Sequence, residues 1–410
     1  MLSEHEAIKT LLDHARILVK KETVSLSDAN GRVCAVNIVA PINVPSSDNS
    51  AMDGFACNSA DIPSQLSVSI SQRVIAGSNP APLKPATAAR IFTGASLPQG
   101  ADCVVIQEDC TYDNKTVLFK VTPISSHHVR YAGEDIQQGN VVLHKGDVIG
   151  AVQIGLIASL GINTVSVYQR LRIALLTTGN ELLEPGTDDA DIHNESGKRY
   201  NSNRYALSAL INQLRFTVTH HKIVADNLSD TENELALCSK DADVIISTGG
   251  VSVGDEDYIK TALQNIGTMY LWKIAIKPGK PLVFGAIGDT PFIGLPGNPV
   301  SALITFLIIA RPFLLSCQGL NSRLTNQALV SYSVIARFSW LTKNRSEYLR
   351  VKLIHQGGQL CAQAYSSQDS GIQSSLHHSD GLVRIEAGCK IEPGDKVDYT
   401  PYSALFNLPV

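Results

Sequence analysis

Residues 244–258, VIISTGGVSVGDEDY, constrain the fold more than any other stretch of the chain. Val244, Ile245 and Ile246 form a short apolar run that closes in Ser247 and Thr248. Gly249, Gly250 and Gly254 follow, and Asp255 and Asp257 stand where a helix begins. This order reads as a buried parallel strand, a glycine-rich turn and a helix N-terminus. In open α/β sheets ligands bind outside the carboxyl ends of the strands. Glycine lets the backbone approach a ligand, and the free N–H groups of a helix start attract anions. Two carboxylates there would repel a bare phosphate. They make chemical sense when Mg²⁺ sits between them and phosphate oxygens. The competing account makes Asp255 an ordinary N-cap and Asp257 a first-turn complement to the helix dipole.

The same texture begins near residue 171. Residues 172–176 read as a strand leading into Thr177, Thr178, Gly179, Asn180 and Glu181, where Thr178 and Glu181 have capping-box spacing. Residues 187–199 read as an exposed polar loop. Asn203 is placed to cap a helix carrying Tyr205, Ala206, Leu210, Ile211 and Leu214. A strand through Ile223 and Val224 ends at Asp226, and Ser229 and Glu232 have the spacing of a second capping box. Three such units in a row predict a parallel sheet covered by helices. Glu181, Asp226, Asp255 and Asp257 would then share one edge of it.

Lys273 and Lys277, four apart on an expected strand, should face the same way, and Lys280 follows the Pro278–Gly279 turn. Beside an acidic site these three suggest anion binding; elsewhere they would be solvated edge lysines. GLPGNPVS at 294–301 predicts a rigid turn into a buried helix with Pro299 at its first position.

On either side of this segment the pattern differs. Residues 4–20 carry an apolar helical face through Ile8, Leu11, Leu12, Ala15, Leu18 and Val19, and a strand is expected over 31–39. Residues 41–56, PINVPSSDNSAMDGFA, read as a loop exposing Asp48, Asn49, Ser50 and Asp53. Residues 66–150 are β-rich and include the turns of IFTGASLPQGADCVVIQED and RYAGEDIQQG. After Gly319 short strands return, over 328–336, 348–354, 360–364, 381–385 and 396–399. They predict a small barrel or sandwich of about 80–90 residues.

A chain of 410 residues is too long for one compact core. A net charge of −4 without blocks of one sign argues against a nucleic-acid or membrane-surface role. The start, MLSEHEAIKTLLDHA, is amphipathic and unlike a signal peptide. The apolar stretch over 302–315 is broken by Thr305, Arg311 and Pro312, which reads as too short and too polar to span a bilayer. A cytoplasmic location is therefore expected. The eight cysteines form no CxxC pair and read as free thiols rather than a metal or disulfide framework.

The motifs DNSAMDGFA, FTGASLPQGADCVV, RYAGEDI, TTGNEL, GGVSVGDEDY, KPGKP and GLPGNPVS, in this order, resemble the molybdopterin molybdenumtransferases, the MoeA and gephyrin E-domain family. The resemblance spans essentially the whole chain and is weakest after residue 320. It implies a multidomain α/β plus β protein. An elongated N-terminal domain (1–44 and 141–170) is interrupted by an inserted β-rich domain (45–140). A three-layer αβα molybdopterin-binding-like domain (171–320) and a C-terminal β-barrel (321–410) follow. It implies molybdenum insertion into adenylated molybdopterin with release of AMP, using Mg²⁺ and molybdate. The matching positions are Asp53, Thr93, Asp135, Glu181, Asp226, Asp257, Lys273, Lys277, Pro296 and Pro299. On this basis Asp257 and Glu181 hold the metal or its water, with Asp226 as accessory ligand. Lys273, Lys277 and Lys280 hold phosphate or molybdate. Gly249, Gly250 and Gly254 give close backbone contact, and Asp53 and Thr93 complete the site. The resemblance also implies a homodimer with sites built from both subunits, and transient contact with the molybdopterin adenylyltransferase. Phe55 stands where tyrosine is usual, and Asn180 and Asn201 where aspartate is common. Two other readings stay open: molybdopterin adenylylation, and a gephyrin-like scaffold.

Overall fold

The computed structural model describes residues 1–186, 197–251, 257–321 and 330–409. It divides into two compact units. One comprises Met1–Val36, Lys145–Ala151 and Thr164–Val410; the other comprises Asn37–His144 and Val152–Asn163.

The larger unit is built on a six-stranded sheet. Its order is Thr217–Val224, Arg172–Thr178, Val244–Thr248, Thr290–Leu295, Val283–Ile287 and Thr268–Trp272. The first four strands are parallel to one another and the last two antiparallel to their neighbours. Because side chains alternate along a strand, Ile173, Leu175, Val244 and Ile246 enter one core and Ala174, Leu176 and Ile245 the other. Helices Ser202–Gln213 and Pro299–Gln318 supply the first core; Leu228–Asp241 and Tyr258–Ile266 supply the second. This is a three-layer αβα arrangement. Beyond it, Tyr332–Ala336, Ser346–Gln356, Gln359–Ala364, Gly381–Ile385 and Lys396–Pro401 close on themselves as a five-stranded barrel. Its interior is filled by Val334, Leu349, Val351, Val383, Val397 and Tyr399.

The segment Pro299–Gln318 is the buried helix expected after GLPGNPVS, with Pro299 at its start. By length and composition it could cross a membrane, yet 83% of its most apolar window is buried inside the protein. Thr305 bonds back to the Ser301 carbonyl, and Arg311 donates to the Asn407 carbonyl at 2.8 Å, so neither polar residue ends the helix.

Several local expectations are corrected. The first helix spans only Glu4–Asp13, opened by a capping box between Ser3 and Glu6. The 31–39 segment is two short strands, Arg32–Val33 and Ile38–Val39. Among the described residues no helix follows Glu181; Leu182–Leu183 pairs with Arg199–Tyr200, so Thr178 and Glu181 are not a capping box and Arg199 is not loop, while 187–196 of the expected loop lie outside the described residues. Asn201, rather than Asn203, caps the helix Ser202–Gln213. Asn227, rather than Ser229, caps Leu228–Asp241, accepting from the Asp230 N–H at 2.8 Å.

In the smaller unit a six-stranded sheet runs Cys103–Ile106, Gly54–Cys57, Thr87–Ile91, Ser67–Val74, Thr116–Phe119, Cys110–Tyr112. Phe55 and Cys57 pack on one face and Ala56 on the other. The helix Ala151–Ser159, just beyond the β-rich stretch, contributes Leu156 to a small cluster with Ala40 and Ile136. All eight cysteines are free thiols, seven of them buried and Cys389 exposed.

Candidate active site

The chain leaves strand Arg172–Thr178 toward one edge of the large sheet and returns to place Val244–Thr248 on the other side of that strand. The carboxyl ends of these two neighbours therefore flank a topological switch point, where open α/β sheets make their ligand crevice. A cleft of ≈ 790 Å³ opens there. Thr178, Glu181, Asp226, Gly249, Gly250 and Asp257 line it from the parallel strand ends; Pro296 and Pro299 line it from the turn after Leu295. Gly254 and Asp255 lie outside the described residues.

The two glycines are required by the protein's own packing. Gly249 has φ +88° and Gly250 φ +64°. A Cβ on Gly249 would lie 2.7 Å from both the carbonyl and hydroxyl oxygens of Thr178; one on Gly250 would lie 2.9 Å from that hydroxyl. Thr178 Oγ1 and Asn203 Oδ1, both on cleft residues, are buried without a hydrogen-bond partner among the described residues. Buried polar atoms left open in a concave site mark where a ligand or ion would supply the missing bond.

Asp226 and Asn180 hold one another: the Asn180 N–H donates to Asp226 Oδ2 at 2.7 Å, and the Asp226 N–H donates to Asn180 Oδ1 at 3.2 Å. An amide at 180 keeps this clasp without setting a second carboxylate against Asp226. Asn201 is buried; it caps its helix through Arg204 N–H and donates to Thr177 Oγ1 at 2.9 Å. Both departures from aspartate thus have structural work. Asp257 is the N-cap residue of Tyr258–Ile266, but its side chain makes no capping bond. Glu181, Asp226 and Asp257 share the cleft without closing into a compact trio. Among the described residues, the set of three possible ligand side chains drawn within 4.8 Å is elsewhere.

Cations line the same cleft, Arg199 beside Glu181 among them. Lys277 and Lys280 line the cleft, as does Arg345 from the barrel. Lys277 lies on Ile276–Lys277, which pairs with the barrel strand Ser346–Gln356, and its Nζ is 3.2 Å from Glu347. Glu347 also accepts from Trp340 Nε1 at 3.0 Å. The expected shared face of Lys273 and Lys277 is not formed. The strand ends at Trp272, Lys273 takes φ +67°, and its ammonium stacks 3.7 Å from the Trp272 ring centroid. Lys273 does not line the cleft.

Sequence reasoning missed the barrel's contribution. Arg345, Gln368, Asp369, Ser370 and Gly371 close the cleft. Asn298 donates to Ser370 Oγ at 2.9 Å, and the fully buried Arg350 donates to the carbonyls of Ser367 and Asp369. Burial holds the Arg350 guanidinium below its ordinary pKa. The only sequence signal was a run of small polar residues at 366–371 within a barrel pattern.

In the smaller unit the three remaining motifs meet. Asn49–Ser50 pairs with Val129–Arg130, the Ala132 N–H donates to Asp48 at 2.8 Å, and Ser50 exchanges backbone bonds with Gly94 and Ala95. Asp53 Oδ1 accepts from the Thr93 N–H at 2.7 Å and its hydroxyl at 2.8 Å. The backbone bond first, then the hydroxyl, holds the exposed Asp53 carboxyl below its usual pKa. Asp135 is exposed on the adjoining turn. Phe55 is in the core, edge-on to Tyr112 at 4.9 Å, and takes no part in this surface.

The cleft thus brings carboxylates together with lysine and arginine side chains at a topological switch point, the place where α/β proteins of this class bind their ligands. Comparison with known proteins names the family. Residues 2–161 match the MoeA N-terminal region (domain I and II), 174–316 the probable molybdopterin binding domain, and 334–402 the MoeA C-terminal region (domain IV). A molybdopterin molybdenumtransferase of Haemophilus influenzae is 36% identical, covering 99% of this chain and 100% of that protein. One from Nostoc is 35% identical over 95% of this chain and 85% of that protein. The crystal structure of a molybdopterin biosynthesis MoeA protein from Pyrococcus superposes with TM-score 0.82 at 28% identity, covering 98% of this chain and 99% of that one. The chain belongs to the molybdopterin molybdenumtransferase (MoeA) family.

Proposed function

We propose that this protein is a cytoplasmic, Mg²⁺-dependent homodimer that inserts molybdenum into adenylated molybdopterin and releases AMP. The observation that carries this reading is the gathering, in one switch-point cleft, of Glu181, Asp226 and Asp257 with Lys277, Lys280 and Arg345. Both substrates, a phosphoanhydride and molybdate, are anions that repel one another. Cationic side chains hold them together and neutralise charge that develops on AMP as the phosphoanhydride breaks. The donors suit a hard divalent cation. Mg²⁺ is usually bound by one or two carboxylates, with phosphate oxygens and waters completing the shell. Three carboxylates that share a cleft without forming a cage match that habit. When bound, Mg²⁺ would supply positive charge that stabilises the departing AMP. Asp257 and Glu181 would hold it, with Asp226, fixed by Asn180, in support.

Asp53 and Thr93 are assigned to the same reaction from the partner subunit. A two-fold dimer then builds two equivalent sites. Adenylated molybdopterin would arrive through transient contact with the adenylyltransferase that makes it.

The test is incubation of the protein with adenylated molybdopterin, molybdate and Mg²⁺. AMP and molybdenum cofactor should appear together. Pyrophosphate released from ATP, with no AMP from the adenylate, would assign the earlier adenylylation step instead.

A further inference from the structure

We propose a second metal site, apart from the cleft, in which His220, Glu234 and Cys238 bind a zinc-type divalent cation. Their ligand atoms lie within 4.8 Å of one another. His220 lies on the edge strand Thr217–Val224. Glu234 and Cys238 are one turn apart on the helix Leu228–Asp241, on its buried side. A helix face packed on a sheet normally presents apolar groups; here a carboxylate and a thiol occupy it, met by an imidazole. Zinc accepts nitrogen, oxygen and sulfur donors alike, and its open sites use three protein ligands with water in the fourth position.

In the described state Glu234 is satisfied by the Lys222 ammonium and the His220 imidazole. Its side chain is 6% exposed; His220 Nε2 lies 2.6 Å from one oxygen and Lys222 Nζ 2.5 Å from the other. Burial alone would raise the Glu234 pKa, but the bonds from Lys222 and His220 outweigh it and hold it down. Lys222 is 55% exposed at its side chain, so it can swing into solvent when a cation takes its place. His220 is 36% exposed, which leaves a path for the ion and for the water. Charge balances through the exchange. The dication replaces the Lys222 ammonium beside Glu234, and Cys238 gives up its thiol proton to solvent to bind as thiolate. One dication is then matched by one carboxylate and one thiolate. Tetrahedral zinc ligands sit about 3.5 Å apart, so the cluster needs only small shifts to close.

The test uses the full chain, metal-free and then titrated with Co²⁺ and with Zn²⁺. Tetrahedral cobalt spectra with a thiolate-to-cobalt charge-transfer band are expected, together with retention of zinc on gel filtration. Affinity should fall as pH is lowered, because binding releases the thiol proton. Cys238→Ser should abolish the band and weaken zinc more than about tenfold. His220→Ala, at a half-exposed position that does not threaten the fold, should weaken zinc likewise. AMP release by Cys238→Ser should remain at the wild-type rate, which separates this site from the cleft. The oxygen donors of the cleft cannot produce a thiolate band, so loss of the proposed reaction would leave this result untouched. Absence of the band, its persistence in Cys238→Ser, or no retained zinc would make the cluster an ion-paired strut and overturn the proposal.

Discussion

Replacing Gly249 by alanine tests whether the cleft's floor is set by contact between the two strand ends. A left-handed backbone costs an L-residue about 1–2 kcal/mol, and Gly249 sits at φ +88°. Its new Cβ would stand 2.7 Å from the Thr178 carbonyl, which no rotamer change relieves, adding about 1–3 kcal/mol. Gly249→Ala should therefore destabilise the α/β domain by about 3 kcal/mol. Gly250→Ala has a milder geometry, φ +64° with 2.9 Å contacts to side-chain atoms of Thr178 and Ile259, and should cost about 1–2 kcal/mol. Adding Thr178→Ala removes the hydroxyl from both contacts but leaves the carbonyl. It should rescue part of the Gly250 loss and little of the Gly249 loss. Trp272, whose indole donates to the Val251 carbonyl at 3.3 Å, reports on this region. Urea unfolding followed by its emission in a Trp340→Phe background gives the values. Gly249→Ala no less stable than Gly250→Ala, or rescued equally by Thr178→Ala, would refute this account.

Asp257→Asn keeps size and removes charge, so AMP release should fall sharply while thermal melting stays near wild type; full activity with Mg²⁺ would return Asp257 to a helix-start role. Lys277→Ala should weaken anionic substrate binding and flatten its salt dependence across an ionic-strength series, with about 1–3 kcal/mol lost in stability because the buried Glu347 is left with Trp340 Nε1 in place of the ion pair. Thr93→Val removes the hydroxyl but not the N–H from Asp53, so the carboxyl pKa should rise yet stay below its ordinary value in an NMR titration. A depressed carboxyl pKa contributes stability above its unfolded value that is lost as pH falls through the folded one; in the variant that contribution is smaller and its loss is complete at a higher pH. Asp53→Ala and Asp257→Ala, each inactive alone, should regain activity when co-expressed as mixed dimers, since one of the two sites is then intact; verified mixed dimers that stay inactive would put each site within a single chain.

The local signals that determined the α/β domain were strong because they are short-range. An apolar run closing in Gly249–Gly250, strands ending at Thr178 and Val224, and Pro299 opening a buried helix all express periodicity and turn chemistry within a few residues. The barrel strands were legible for the same reason. Caps were not: several polar residues stand near each helix start, and Asn201 and Asn227 were chosen over Asn203 and Ser229 by where the backbone leaves the sheet. Lys273 and Lys277 share a spacing but not a face, because the strand stops at Trp272 and the chain turns to pair with the barrel. Arg345 and the 368–371 loop reach the cleft only because the barrel closes against it, held by Arg350 and Asn298. Such contacts join residues far apart in the chain, and their chemistry exists only after packing has paired them.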